Sequence, residues 1–221
     1  MPRRAAKSIY NQLAMQTKTN ITLDVSVLTA PAYLEGEAAA INGLFDAGLQ
    51  LLHVRKPQED VQQFRTLMLN IDPAFYPNIA LHQHHELADE FNITRLHFTE
   101  QKRKLKSPAQ FDEFLGQGYF LSSSIHDLNS CSDLDHFGYV FYGPVFDSIS
   151  KRGYRTALPS GFVVPPQRSK VYAVGGITAE KLADIKNMGF EGIGLLGTIW
   201  HQSDDPVAAF KKVIKTLNQY N

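Results

Sequence analysis

One cysteine, Cys131, in 221 residues leaves no intramolecular disulfide framework and fits a reducing compartment. No apolar run approaches the roughly 20 residues that a bilayer-spanning helix needs. The N-terminus is basic but lacks the apolar core of a secretory signal. Neither sign of charge is in excess, since 22 Lys+Arg face 22 Asp+Glu. The basic residues that do gather (Arg3, Arg4 and Lys7; Lys102, Arg103, Lys104 and Lys106) form short clusters without interleaved aromatics. Those read as solvated faces, so nucleic acid is not expected as a partner. Together these absences predict a cytoplasmic chain that acts away from membranes and nucleic acid.

What is present is an alternation. From Ile21 onward, short runs rich in Val, Leu and Ile alternate with segments of helical spacing. The predicted strands are Leu23–Thr29, Leu49–Arg55, Ile79–His82, Arg95–Phe98, Tyr119–Ser123, Tyr139–Tyr142, Val171–Val174 and Gly192–Leu196. Most read as apolar on both faces, as strands of a buried parallel sheet do. The predicted helices are Gly36–Ala47, Asp60–Ile71, His85–Phe91, Pro108–Leu115, Thr178–Met188 and Pro206–Asn218, with weaker ones after the fifth and sixth strands. Eight such units predict an α/β protein with a (β/α)8 TIM barrel, and a doubly wound open sheet is the alternative. Residues 1–20 read as a polar N-terminal extension and 21–221 as a single barrel domain.

Two segments carry the parts of a phosphate cradle. One is Tyr142-Gly143-Pro144-Val145-Phe146-Asp147-Ser148-Ile149-Ser150-Lys151; the other is Ala173-Val174-Gly175-Gly176-Ile177. Glycine lets backbone amides approach an anion, and a helix start adds unpaired N–H groups. Thr178 is expected to cap the helix that follows, which should stop at Gly189. In a barrel, phosphates commonly bind the loops after strands seven and eight. Gly175 and Gly176 follow the seventh predicted strand, and Gly197 and Thr198 close the eighth.

The predicted strand ends carry His53, Arg55 and Lys56 after the second strand, His82 and His84 after the third, His97 and Glu100 after the fourth, and Ser122, Ser124 and His126 after the fifth. A metal site is not expected. The run His82-Gln83-His84-His85 matches no helical ligand pair, and no aspartate accompanies the imidazoles. A second, plainer reading of His53 and His82 is as hydrogen-bonded residues of the barrel interior. His126 lies in a polar, serine-rich turn and is the candidate general base.

These segments resemble the thiamine phosphate synthase and thiazole tautomerase family from about Val25 to Pro206. The residues that carry the resemblance include Val27-Leu28-Thr29, Leu52-His53-Val54-Arg55, Glu86-Leu87-Ala88, Leu96-His97-Phe98, Ser124-Ile125-His126, Gly143-Pro144-Val145-Phe146, Val174-Gly175-Gly176-Ile177 and Gly192-Ile193-Gly194. The resemblance implies a small-molecule thiazole phosphate held by Ser148, Ser150, Gly175, Gly176, Gly197 and Thr198. It also implies a homodimer or larger assembly. In the synthase, two carboxylates hold magnesium against a leaving pyrophosphate. Here His82-Gln83 stand in place of Asn-Asp, Lys102 replaces the second carboxylate, and Pro57 replaces a lysine.

Three functions follow from the resemblance. The first is a tautomerase-like enzyme without a cofactor, which moves a proton to aromatise a dihydrothiazole carboxylate phosphate, with His126 as base and Arg55 on the carboxylate. The second is a thiamine phosphate synthase with a degenerate magnesium site, in which Arg55, Lys56, Ser124 and Lys151 serve the diphosphate; magnesium enters only under this reading. The third is a non-catalytic regulator that binds the phosphate ligand.

Overall fold

In a computed structural model describing residues 23–58, 60–128, 134–147, 158–159, 161–166 and 168–219, eight parallel strands close into a barrel. The strands are β1 (Asp24–Leu28), β2 (Leu52–Val54), β3 (Ile79–Leu81), β4 (Arg95–Phe98), β5 (Phe120–Ile125), β6 (Tyr139–Tyr142), β7 (Lys170–Val174) and β8 (Gly192–Leu195). Each pairs with its neighbours in chain order, and β8 returns to β1 with Asp24 opposite Gly192 and Val27 opposite Leu195. All eight predicted strands are present at nearly their expected positions, and the (β/α)8 expectation holds.

The connecting helices are α1 (Glu37–Asp46), α2 (Val61–Leu69), α3 (Glu100–Lys104), α4 (Pro108–Gly116), α5 (Leu182–Asn187), α6 (Gly197–Trp200) and α7 (Pro206–Leu217). Their starts follow local chemistry. The Asp60 carboxylate accepts from the Gln62 and Gln63 amides at the head of α2. Ser107 and Gln110 cap α4 reciprocally, and Asp205 accepts from Ala208 ahead of α7. Helix α7 buries Phe210, Val213 and Leu217 and exposes Lys211, Lys212 and Lys215, which is the 3.6-residue periodicity its sequence prescribes.

Two expected helices differ. Predicted helix His85–Phe91 is a single 3₁₀ turn, His85–Leu87, entered through His84 in the left-handed region at φ 53°. Thr178 makes no side-chain cap, and a 3₁₀ turn at Ala179–Lys181 precedes α5. Conversely, α3, α6 and a 3₁₀ helix at Pro73–Asn78 span only four to six residues each, too short to show a period, and were not expected.

The core has two layers. Outward-facing strand residues such as Val27, Leu52, Val54, Ile79, Leu96, Val140 and Ile193 pack against the helices together with Phe64, Leu44 and Phe210. Inside the lumen, Leu28, Tyr139, Phe141 and Tyr172 form a second cluster, with Tyr139 and Tyr172 stacked at 4.6 Å. Glycines on β8 make room for these rings: a Cβ at Gly192 would lie 2.7 Å from Tyr172, and one at Gly194 would lie 2.8 Å from both Leu28 and Phe141. The expectation of strands apolar on both faces therefore fails on the inner face. Ser26, His53, His97, Ser122 and Tyr139 are buried there and hydrogen-bonded, which makes their burial tolerable.

Candidate functional site

At the C-terminal mouth of the barrel a cavity of about 540 Å³ is lined by Arg55, Glu100, Lys104, Ser124, His126, Gly143 and Val174, among others. A larger groove of about 680 Å³ lies between α1 and α2, lined by Tyr33, Asn42, Gln62 and Asn70. The carboxylate among its described lining residues, Glu37, is held by Lys56, so the candidate site is the mouth.

Arg55 leaves the end of β2 with its backbone pinned by Thr29 of the neighbouring unit. Its amide donates to Thr29 Oγ1 at 2.9 Å, and that hydroxyl donates back to the Arg55 carbonyl at 3.1 Å. Burial lowers the guanidinium pKa without discharging it. His126 follows β5 and donates through Nδ1 to the Gly143 carbonyl at 2.9 Å. A carbonyl can only accept, so the proton of the neutral ring sits on Nδ1 and Nε2 keeps its lone pair. Nε2 stands 4.0 Å from Glu100 Oε2. Glu100 is itself occupied by Lys104 at 2.6 Å, and that ammonium holds its carboxyl below the usual range. The mouth thus combines an oriented imidazole base, a guanidinium and a hydroxyl.

The two cradle segments lie side by side. The Val145 amide donates to the Val174 carbonyl at 3.0 Å and the Phe146 amide to the Gly175 carbonyl at 3.2 Å. Gly175 and Gly176 both have positive φ, 95° and 65°, and a Cβ on Gly176 would lie 2.4 Å from the Asp147 carbonyl. Only glycine fits this turn. Thr198 ties the eighth unit to it by donating its hydroxyl to the Ile177 carbonyl. That hydroxyl is therefore committed to the backbone, and among the described residues Thr198 lines a separate hollow of about 300 Å³ with Thr178 and Lys212. Gly175, Gly176 and Gly197 do not line the 540 Å³ cavity. Ser148, Ser150 and Lys151 lie outside the described residues.

Lys56 requires a correction. Its ammonium is fully buried and donates to both Glu37 oxygens at 2.7 Å and to the Ala30 and Ala32 carbonyls at 2.9 and 2.8 Å. No donor remains for a diphosphate. Glu37, the first residue of α1, was not singled out from the sequence because an acid opening a helix is ordinary there.

Beneath the mouth three imidazoles meet. His53 Nδ1 lies 2.9 Å from His82 Nε2, and the Tyr139 hydroxyl lies 2.6 Å from His53 Nε2. His97 is bracketed by Ser122 at Nδ1, 2.9 Å, and Ser124 at Nε2, 2.8 Å. The His82 and His97 rings stack at 3.9 Å. Burial pushes all three pKa values down, His53 to about 3 and the other two well below the ordinary value, so the rings are neutral at pH 7. His53 and His82 are interior residues, the plainer of the readings the sequence left open. Spacing along the chain could not reveal the trio, because successive parallel strands bring together residues some fifteen to thirty positions apart.

Magnesium, implied only by the synthase resemblance, does not suit these donors. It takes oxygen ligands in near-octahedral geometry, usually through one or two carboxylates. Glu100 is the one carboxylate among the described residues lining the cavity, and Lys104 already holds it; the Gln83 carbonyl oxygen accepts from the Lys56 amide.

Sequence comparison matches residues 27–199 to the family described as TMP-TENI, thiamine monophosphate synthase. Among solved structures, a thiamine phosphate pyrophosphorylase from Bacteroides thetaiotaomicron is 25% identical, with a TM-score of 0.68 over 89% of this chain and 98% of that one. A thiamine phosphate pyrophosphorylase from Pyrococcus furiosus is 14% identical, with a TM-score of 0.71 over 91% and 98%. A 3-hexulose-6-phosphate synthase, 11% identical with a TM-score of 0.61 over 86% and 98%, shares the fold.

Proposed function

The chain belongs to the thiamine monophosphate synthase family, and from that premise we propose that it is a thiamine-biosynthesis enzyme that aromatises a dihydrothiazole carboxylate phosphate by moving one proton. The observation that carries this reading is the anchoring of His126. Its Nδ1–H is spent on the Gly143 carbonyl, so the lone pair on Nε2 is held at the cavity. In the proposed step Nε2 takes a C–H proton, the electron pair shifts into the ring, and the same nitrogen returns the proton to the far carbon. The net change is an isomerisation that needs a positioned base and an anchored substrate.

Arg55 pairs with the substrate carboxylate as a planar two-pronged donor. The amides of Gly175, Gly176 and Gly197, with Ser148 and Ser150, are the proposed phosphate donors. The Thr198 hydroxyl is left out because it serves Ile177. Ser124 touches the cavity and His97 at once, which suits an orienting contact to the heterocycle.

A second reading, synthesis of thiamine phosphate from a pyrimidine diphosphate and thiazole phosphate, is favoured by the 25% match to the Bacteroides thetaiotaomicron pyrophosphorylase. There Arg55 and Lys151 would face the diphosphate. The purified chain is to be supplied with the dihydrothiazole isomer, and separately with the pyrimidine diphosphate and thiazole phosphate, each with and without magnesium. Turnover of the isomer supports the first reading, and thiamine phosphate formation the second. Binding of thiazole phosphate without either reaction leaves the regulator.

A further inference from the structure

We propose that His53, His82 and His97 form a binding site for a nitrogen-preferring divalent transition metal ion of the zinc class, set in the barrel lumen just below the mouth. One ring nitrogen from each lies within 4.8 Å of the other two, and all three side chains are buried. This assignment does not rest on the thiazole phosphate reading.

The donor set fits. Zinc bonds imidazole nitrogen at about 2.0–2.1 Å, which puts tetrahedral donors about 3.4 Å apart. The hydrogen-bonded pair, His53 Nδ1 and His82 Nε2 at 2.9 Å, has to open slightly, and the separations to His97, all within 4.8 Å, have to close by at most about 1.4 Å. Ligating imidazoles normally have their second nitrogen fixed by a hydrogen bond. Tyr139 does this for His53 at 2.6 Å and Ser122 for His97 at 2.9 Å. The rings are neutral at pH 7 and so need not lose a proton to bind.

A second observation points to a missing partner. His82 Nδ1 is buried and pairs with no group among the described residues. Tautomers cannot cure this: if Tyr139 donates to His53, the chain of bonds leaves a stranded N–H on His82, and if the direction reverses it leaves a stranded lone pair. A hydrogen-bonded network that served packing alone would not need a third imidazole ending in an orphan atom. A metal ion breaks the His53–His82 bond and so frees His82 to turn, releasing whichever nitrogen does not ligate for the hydroxyl-lined mouth.

Arg55 and Arg95 act on these rings electrostatically. A dication bound by three neutral ligands therefore favours an anionic fourth ligand. Ser124, which contacts both His97 and the cavity, marks the side from which hydroxide or an oxyanion reaches it.

The test uses the full chain, stripped with chelator and titrated with Co²⁺, then Zn²⁺. One equivalent of Co²⁺ should give the intense visible d–d bands of a tetrahedral site, and Zn²⁺ should abolish them. His53→Gln and His82→Asn, checked for folding by circular dichroism, should each weaken binding by more than about tenfold. Featureless Co²⁺ spectra, or bands that persist unchanged in both variants, overturn the proposal. Should the variants not fold, ¹⁵N imidazole spectra of the unmodified chain decide. Zn²⁺ must shift three tautomer-locked buried rings, and shifts confined to exposed histidines such as His126 overturn it.

Discussion

Lys56 and Glu37 meet at 2.7 Å with essentially no solvent at either side chain, joining the end of β2 to the start of α1 under the barrel mouth. Burial raises the Glu37 pKa and lowers that of Lys56, so desolvation works against both charges even though they are paired. Removing one partner strands the other. Lys56→Met or Glu37→Gln alone should lower stability by about 3–5 kcal/mol, whereas Glu37→Gln combined with Lys56→Met should recover most of that loss. Urea unfolding of the three variants checks it, and additive losses would show that the two residues are not coupled.

Replacing His126 by Ala should reduce proton transfer by about two orders of magnitude or more while leaving thiazole phosphate affinity nearly unchanged. His126→Asn should not restore the rate, because an amide can keep the contact to Gly143 but supplies no base. Single-turnover kinetics with the dihydrothiazole isomer measures both. A rate equal to that of the unmodified chain in either variant would remove His126 from the reaction.

Gly176→Ala should be worse than Gly36→Ala, although both positions have φ near 65–69°. Nothing lies within 4 Å of a Cβ at Gly36, so that substitution carries only the left-handed backbone penalty of about 1–2 kcal/mol. At Gly176 the methyl also strikes the Asp147 carbonyl at 2.4 Å, and the β6 loop must move away. Thermal unfolding should rank the two, and inorganic phosphate affinity should fall for Gly176→Ala alone.

Acid should weaken the chelator-treated chain early. His53 and His85 have folded pKa values of about 3 and about 4, depressed by burial from 6.5. Their contribution is therefore fully present above pH 6.5 and is lost as pH falls toward 4 and then 3. Each such imidazole gives a slope of up to about 1.4 kcal/mol per pH unit in that window. His85→Gln should make the decline between pH 6.5 and 4 shallower, as read from denaturant midpoints against pH.

The barrel was legible because its signals are local: eight apolar runs at crossover spacing, and the glycine pair after the seventh, occupy the places the sequence assigns them. Arg55, Ser124 and His126 share the mouth because each ends or follows a strand, which a barrel turns into proximity. What the sequence hid was long-range. Lys56 looks like a free cation until Glu37 is found against it across nineteen positions. His53, His82 and His97 look like scattered interior residues until three parallel strands put them in one layer. The helical period of His85–Phe91 was real but too weakly capped to resist ending after one turn.

The stacked Tyr139 and Tyr172 fill the lumen below the histidines, and Tyr172 is fastened to Asp24 at the far rim. The protein is therefore a cup rather than a tunnel. A molecule that reaches the imidazole layer arrives and leaves by the same opening, the one bordered by Arg55, Ser124 and His126.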